Sequence, residues 1–213
     1  MYKLTILYIA IMFVGCANYN SSNKINQKSY LEDIGKINEY FPKKLTNHFP
    51  DSITGSYRLI SDFPSSLKQN NRCGVILIDY NFKGNIENDS IIQSYEYKIS
   101  PNEKCLLIVN MFENEISGKI YLDNLRYYCD NFFPPIPDFH SILPDSIDIE
   151  FMESGRLSNK YALYVIDSQP GYRLLSDQLS RGYGLPEKWG NGYSKGVAIN
   201  KNNNLAIFWL EVW

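Results

Sequence analysis

The chain has 213 residues, 44% of them apolar and 21% charged, with a formal net charge of −2. That composition is ordinary for a globular chain, and the length suits one well-cored domain or two small ones. There is no basic field to draw in nucleic acid, so a nucleic-acid partner is excluded on charge.

Residues 1–3 carry one positive charge, at Lys3, and residues 4–14 are apolar apart from Thr5. A short charged start before an apolar run of this length reads as a signal peptide. A spanning helix needs roughly 20 apolar residues, and the chain turns polar at Asn18, so the run is too short to cross a membrane. The run ends in Phe13-Val14-Gly15-Cys16. This tetrapeptide resembles the lipobox of bacterial lipoproteins at Val14, Gly15 and Cys16, and departs from it at Phe13, where the family usually carries Leu. The resemblance implies removal of residues 1–15, diacylation of the Cys16 thiol and, often, acylation of the new amino group. It implies a cell-envelope protein with the membrane as its first partner, since two or three acyl chains anchor stably where one does not. An ordinary secretory signal with an incidental cysteine is the alternative.

Residues 16–28 are expected to form a flexible tether: 17–28 (ANYNSSNKINQK) are polar and rich in Asn and Ser. No acidic cluster follows Cys16, which points to a periplasmic orientation. Residues 29–213 are expected to form a single globular domain of the α+β class. The expected architecture is a mainly antiparallel sheet with an N-terminal helix packed on it and a C-terminal β-hairpin.

The helix is expected over residues 29–41. Ser29-Tyr30-Leu31-Glu32 has the form of a capping box, and Tyr30, Leu31, Ile34, Ile37 and Phe41 recur on one helical face. Pro42 ends it. A short strand is expected at 56–61 and a buried central strand at 73–82 (CGVILIDYNF). Alternation marks a strand at 90–100, and the apolar run 105–113 marks another. Residues 114–118 read as a turn and 119–127 as a returning strand, giving a hairpin. The four prolines within 132–144 argue against a central strand and for a surface loop. Strands follow at 147–152 and 161–166, and a short helix at 172–181. The apolar run 205–213 (LAIFWLEVW) closes a hairpin with 197–200 and must be buried.

With Cys16 assigned to lipid, Cys73, Cys105 and Cys129 remain. An exported compartment permits disulfides, and Cys105–Cys129, flanking the expected hairpin, is the first choice for a pair. No C-x-x-C spacing occurs and only His48 and His140 are present, so neither a metal nor any other cofactor is expected.

Candidate sites compete with simpler readings. Asp51-Ser52-Ile53, Asp89-Ser90-Ile91 and Asp145-Ser146-Ile147 repeat one tripeptide. It resembles an Asp-Ser/Thr-aliphatic O-glycosylation motif of exported bacterial proteins, with Ser52, Ser90 and Ser146 as the implied acceptors. The competing reading is turn chemistry. His48–Asp51 and His140–Asp145 sit near these serines, but no nucleophile-elbow motif surrounds them. Asp148 and Glu150, with Glu153 beyond, are carboxylates of the kind that hydrolyse glycosides, or an exposed strand face. The glycine-punctuated segment 182–196 carries Tyr183, Lys188, Trp189 and Tyr193. These are either a binding face on a loop or, for Trp189, a plug under a tight turn. The leading expectation is a membrane-tethered binding or accessory protein, contacting glycan or another envelope protein, with no catalytic residue assigned. The alternative is a glycosidase-like envelope hydrolase using the carboxylates.

Overall fold

The computed structural model describes residues 27–63, 73–84, 93–109, 115–143, 156–171, 179, 181–200 and 202–213. The strand expected at 147–152 lies outside them, as do residues 172–178 and 180 of the helix expected at 172–181. The fold is α+β, as the sequence pattern predicts. Six strands form one antiparallel sheet in the order β1-β2-β8-β7-β6-β3. They are β1 (Tyr57–Asp62), β2 (Cys73–Asp79), β3 (Tyr97–Ile99), β6 (Ala162–Pro170), β7 (Gly192–Asn200) and β8 (Leu205–Val212). The other two strands, β4 (Leu106–Val109) and β5 (Phe133–Pro137), pair in parallel as a separate small sheet.

The apolar runs at 73–79 and 205–212 become neighbouring central strands, β2 and β8, in which every residue is buried. Near-continuous apolar character in a strand requires cover on both faces of the sheet, and both are covered. On the first face lie α1 (Gln27–Tyr40) and α2 (Lys43–Thr46), which contribute Tyr30, Ile37, Phe41 and Leu45 to a core with Val75, Leu77, Phe208 and Leu210. On the second face lie the small sheet and the one-turn helix α4 (Phe139–Ile142). Leu106, Ile108, Ile136 and Phe139 pack there against Ile76, Ile207 and Trp209.

Leu107 and Val109 point the other way along β4, into a third cluster with Leu185, Trp189 and Trp213. Helix α3 (Glu115–Tyr128) covers that side through Leu125. The layers therefore run α1/α2, main sheet and small sheet, with α3 beside the cluster that joins β4 to Leu185, Trp189 and Trp213.

Several expectations are corrected. Residues 119–127 are helix, not the return strand of a hairpin. Gly118, Leu122 and Cys129 are buried and Leu125 is half-buried, a spacing of four, three and four residues that marks one helical face. Glu115 in the first turn and Arg126 in the last also suit the helix dipole. Parallel strands cannot be joined by a tight turn and need a crossover, which α3 supplies. Residues 133–137 are strand, although three of the five are proline. Proline is tolerated because each strand of a two-stranded sheet has a free edge. The capping box is not used: α1 begins two residues before Ser29, whose Oγ accepts from the Tyr57 hydroxyl at 3.3 Å. Leu31 is 54% exposed and is not part of the apolar face. Of the strand expected at 90–100, residues 97–99 form β3, and residues 90–92 lie outside the described residues.

A disulfide joins Cys105, just before β4, to Cys129, just after α3, across a sequence separation of 24 residues. Arg156 holds the segment ahead of β4 by donating to the carbonyls of Glu103 (2.7 Å) and Leu106 (3.2 Å). Closing a loop of that length removes about 3 kcal/mol of unfolded-state freedom. A Cys105→Ala, Cys129→Ala double variant is expected to lose about that much stability in urea titrations, with far-UV circular dichroism retained. An unchanged midpoint would refute this role.

Candidate functional site

The segment 182–196 divides between core and surface. The 3-10 turn Glu187–Trp189 turns the Trp189 ring inward, where it is 6% exposed and lies 6.2 Å, centroid to centroid, from Trp213. The Trp213 indole N–H donates to the Trp189 carbonyl at 2.8 Å. Tyr193 belongs to β7 and is 4% exposed. Neither ring offers a flat face to solvent, and Trp189 takes the plug position that is the alternative reading of this segment. The strong apolar demand of the third cluster takes Trp189, and the pairing of β7 takes Tyr193. Tyr183 is half-buried and Lys188 exposed. The segment instead forms the seat of α3. A Cβ on Gly118 would fall 2.4 Å from the Gly184 amide nitrogen, so α3 can approach the chain there only through glycine, and Gly184 itself has φ +76°.

A polar cluster that the sequence pattern does not single out lies on the first face. Lys195 is 4% exposed on β7. Its ammonium donates to the Lys44 carbonyl at 2.6 Å and to the Asn47 Oδ1 at 2.8 Å, satisfying a carbonyl at the end of α2. Burial lowers its pKa, against the opposing pull of Asp167. Asp167 pairs with Lys195 in register across β6 and β7, next to a bulge after Val165, and accepts from the Tyr193 hydroxyl at 2.5 Å. Burial and then the Asp167 charge raise the pKa of Glu96. His48, 2% exposed, lies 2.7 Å through Nε2 from the Trp209 carbonyl. A carbonyl only accepts, so His48 is the Nε2–H tautomer. Burial first, and then the Lys195 charge, push its pKa down to about 3. This cluster is a strap between helices and sheet, in which the buried His48 Nδ1 has no hydrogen-bond partner.

His48 is thus turned inward while Asp51 and Ser52 are exposed, so no His-Asp-Ser relay forms there. Exposed Ser52 is open to modification. Ser90, Ser146, Asp148, Glu150 and Glu153 lie outside the described residues, as does Cys16. Among the described residues no group of three or more His, Cys, Asp or Glu side chains converges.

One cavity of about 200 Å³ opens on the second face, lined by Ile60, Asp62, Gly74, Val75, Ile76, Ile142 and Glu211. It is smaller than the roughly 300 Å³ at which small-molecule sites begin.

The surface feature of most consequence is the outer side of α3. Ile116 is 75% exposed, Ile120 60%, Tyr127 83% and Tyr128 73%. At 100° per residue, Ile116, Ile120 and Tyr127 fall on one line, opposite Gly118, Leu122 and Leu125. The spacing of 118, 122, 125 and 129 is the sequence signal that would have exposed this stripe. Comparison with protein-family models, with curated proteins and with solved structures returns no match.

Two outcomes are expected. A Trp189→Ala variant leaves a void in the third cluster and loses about 3–5 kcal/mol of stability, read by urea unfolding. Folded His48 holds its proton less tightly than the unfolded chain, so the unfolded state binds more protons between pH 6.5 and about 3. Acidification through that window therefore favours unfolding, by up to about 1.4 kcal/mol per pH unit. The pH dependence should be shallower in His48→Gln, and parallel slopes for the two proteins would contradict the assignment.

Proposed function

We propose that this chain is a lipid-anchored protein of the bacterial cell envelope, held by Cys16 and facing the periplasm, with a non-catalytic binding or accessory role. The lipobox-like Phe13-Val14-Gly15-Cys16 motivates the anchor. The Cys105–Cys129 disulfide supports export, because such bonds persist in oxidising compartments and are rare in the cytosol. Among the described residues no helix is long and apolar enough to cross a membrane, so attachment in this reading depends on the acylated cysteine.

The observation that carries the binding role is the outer face of α3. Four large apolar side chains lie exposed on one helix, and the disulfide at its C-terminal end fixes that helix to the domain. Single exposed apolar residues are ordinary, whereas Ile116, Ile120 and Tyr127 share one line of the helix, broken by Asp123, and support an interaction site there. The polar cluster around Lys195 and Asp167 serves packing in this reading, and the small cavity is not its centre. Asp-Ser-Ile glycosylation at Ser52 agrees with an envelope location and would add bulk beside the start of α1, away from α3.

Metabolic labelling with a fatty acid tests the anchor. The wild-type chain is expected to take up label and to sediment with membranes, and Cys16→Ser to do neither. Label retained by Cys16→Ser would rule out Cys16 as the acylated residue.

A further inference from the structure

We infer that the protein forms a two-fold dimer in which β1 pairs antiparallel with β1 of a second copy, Ile60 on the axis and Arg58 of each copy against Asp62 of the other. Such a dimer forms whether or not Cys16 is acylated.

Strand β1 is an edge of the main sheet, and among the described residues nothing pairs with its outer side. The opposite edge, β3, is only three residues long, a length that blunts pairing. Strand β1 has six residues, no proline and no bulge against β2. Its Ser61 and Asp62 are exposed. Helix α1 leaves this side open. Its buried Tyr30 and Ile37 point into the first core, and Ser29, Asp33 and Tyr40 lie about 60–100° to one side of Tyr30. That flank is what meets β1. The Tyr57 hydroxyl donates to Asp33 at 3.0 Å and lies 3.3 Å from the Ser29 Oγ, and Tyr40 stacks on Phe63 at 4.3 Å. The helix is therefore set inboard of β1, and its edge is not covered by it.

Hydrogen-bond parity limits the registers. The Tyr80 amide donates to the Ser56 carbonyl at 3.1 Å, one step beyond the pair Tyr57↔Asp79. Antiparallel ladders alternate, so Arg58, Ile60 and Asp62 also turn their amides and carbonyls to β2. Tyr57, Leu59 and Ser61 turn theirs outward. A copy of β1 must meet those odd positions with its own odd positions, because a register shifted by one would set outward groups against inward ones.

Charge selects among the registers that remain. With Ile60 on the axis, Leu59 of one copy exchanges bonds with Ser61 of the other. Arg58 then stands opposite Asp62 in a pair without ladder bonds, where Cα atoms are about 4.5 Å apart and side chains are closest. The two-fold makes this contact twice, residue i on j and j on i. A shift of two residues either way sets Arg58 or Asp62 opposite Ile60 and loses both contacts. Charges usually guard a free edge. These two are placed so that an antiparallel copy of the same strand satisfies them.

Both faces of the sheet agree. Ile60 packs on the second face and Asp62 lines the cavity there, so Arg58, two residues before Ile60, shares that face. Arg58 of the second copy arrives beside that cavity, whose lining includes the carboxylates of Asp62 and Glu211. On the first face Tyr57 and Phe63, both packed on the core, come opposite each other across the axis, a favourable aromatic pair.

The test uses the full-length protein in intact cells with a mild thiol oxidant. Ile60→Cys is expected to give a disulfide-linked adduct of twice the mass, which the unsubstituted chain does not give. Ser61→Cys is expected to give at least tenfold less, since in this register the two Ser61 positions stand too far apart to bridge. Adding Arg58→Glu to Ile60→Cys sets two carboxylates face to face and is expected to reduce the adduct at least tenfold, with far-UV circular dichroism of the purified protein retained. Adding Asp62→Arg as well reverses both charges and is expected to restore it. No adduct from Ile60→Cys, an equal adduct from Ser61→Cys, an adduct with a different protein, or one that Arg58→Glu leaves unchanged or Asp62→Arg fails to restore each overturns the proposal.

Discussion

The seating of Trp209 on Gly196 is the contact on which the layers of this domain depend. Trp209 is fully buried in the middle of β8, and a Cβ on Gly196 would lie 2.4 Å from its ring and 2.3 Å from the Tyr164 carbonyl. Only glycine lets the indole lie flat over β7 at this point. The indole then meets Phe139 edge-on at 5.7 Å, which fixes α4 and, through it, the small sheet on the second face. Its N–H donates to the Ser194 hydroxyl at 3.3 Å, so the polar edge of the ring is also satisfied. On the first face the backbone of the same residue accepts from His48. One residue thus reaches both covering layers from the centre of the sheet.

The helical layer is held by a different kind of force. Most of α1 and α2 packs through apolar side chains, but Lys195 and His48, like Tyr57 on β1, place hydrogen bonds across that interface. Buried polar groups are costly unless satisfied, and Lys195 is satisfied only if Lys44 and Asn47 stand where they do. Apolar packing tolerates small slides of a helix over a sheet, whereas these bonds do not. They fix the position of α2, and Phe41 and Pro42 carry that constraint back to α1.

What could be read from the amino-acid order follows the same division. The strands with cover on both faces, β2 and β8, were legible because nothing but burial explains CGVILID or LAIFWLEV. Helix α1 was legible from Tyr30, Ile37 and Phe41, though its start was not, because Gln27 is held by tertiary bonds to Asp51 and Ile53 that no local pattern records. Helix α3 was misread because Ile120 and Leu122 sit two apart and mimic a strand, while Gly118 hides the buried face. Pairing of Cys105 with Cys129 follows from either topology, since a hairpin and a crossover both return the chain to the start of β4. Of the candidate site, Tyr183, Lys188, Trp189 and Tyr193 were noticed for being aromatic or basic on a glycine-rich segment. Local sequence does not say which way a ring points, and two of the four turn inward. The exposed stripe of α3 was invisible until the helix was placed.

Among the described residues the small sheet has two free edges and, by the usual behaviour of open sheets, would invite a third strand. Along β5 that invitation is withdrawn: Pro134, Pro135 and Pro137 carry no amide hydrogen, so the strand can accept hydrogen bonds but scarcely donate any. The residues that make β5 look unlike a strand are what keep the layer at two strands. A neighbouring chain meeting the domain on this side finds no ladder to extend. Growth by stacking of extended chains, the common failure of exposed sheet edges, is blocked along β5 by chemistry as well as by cover, since residues 134–137 are buried.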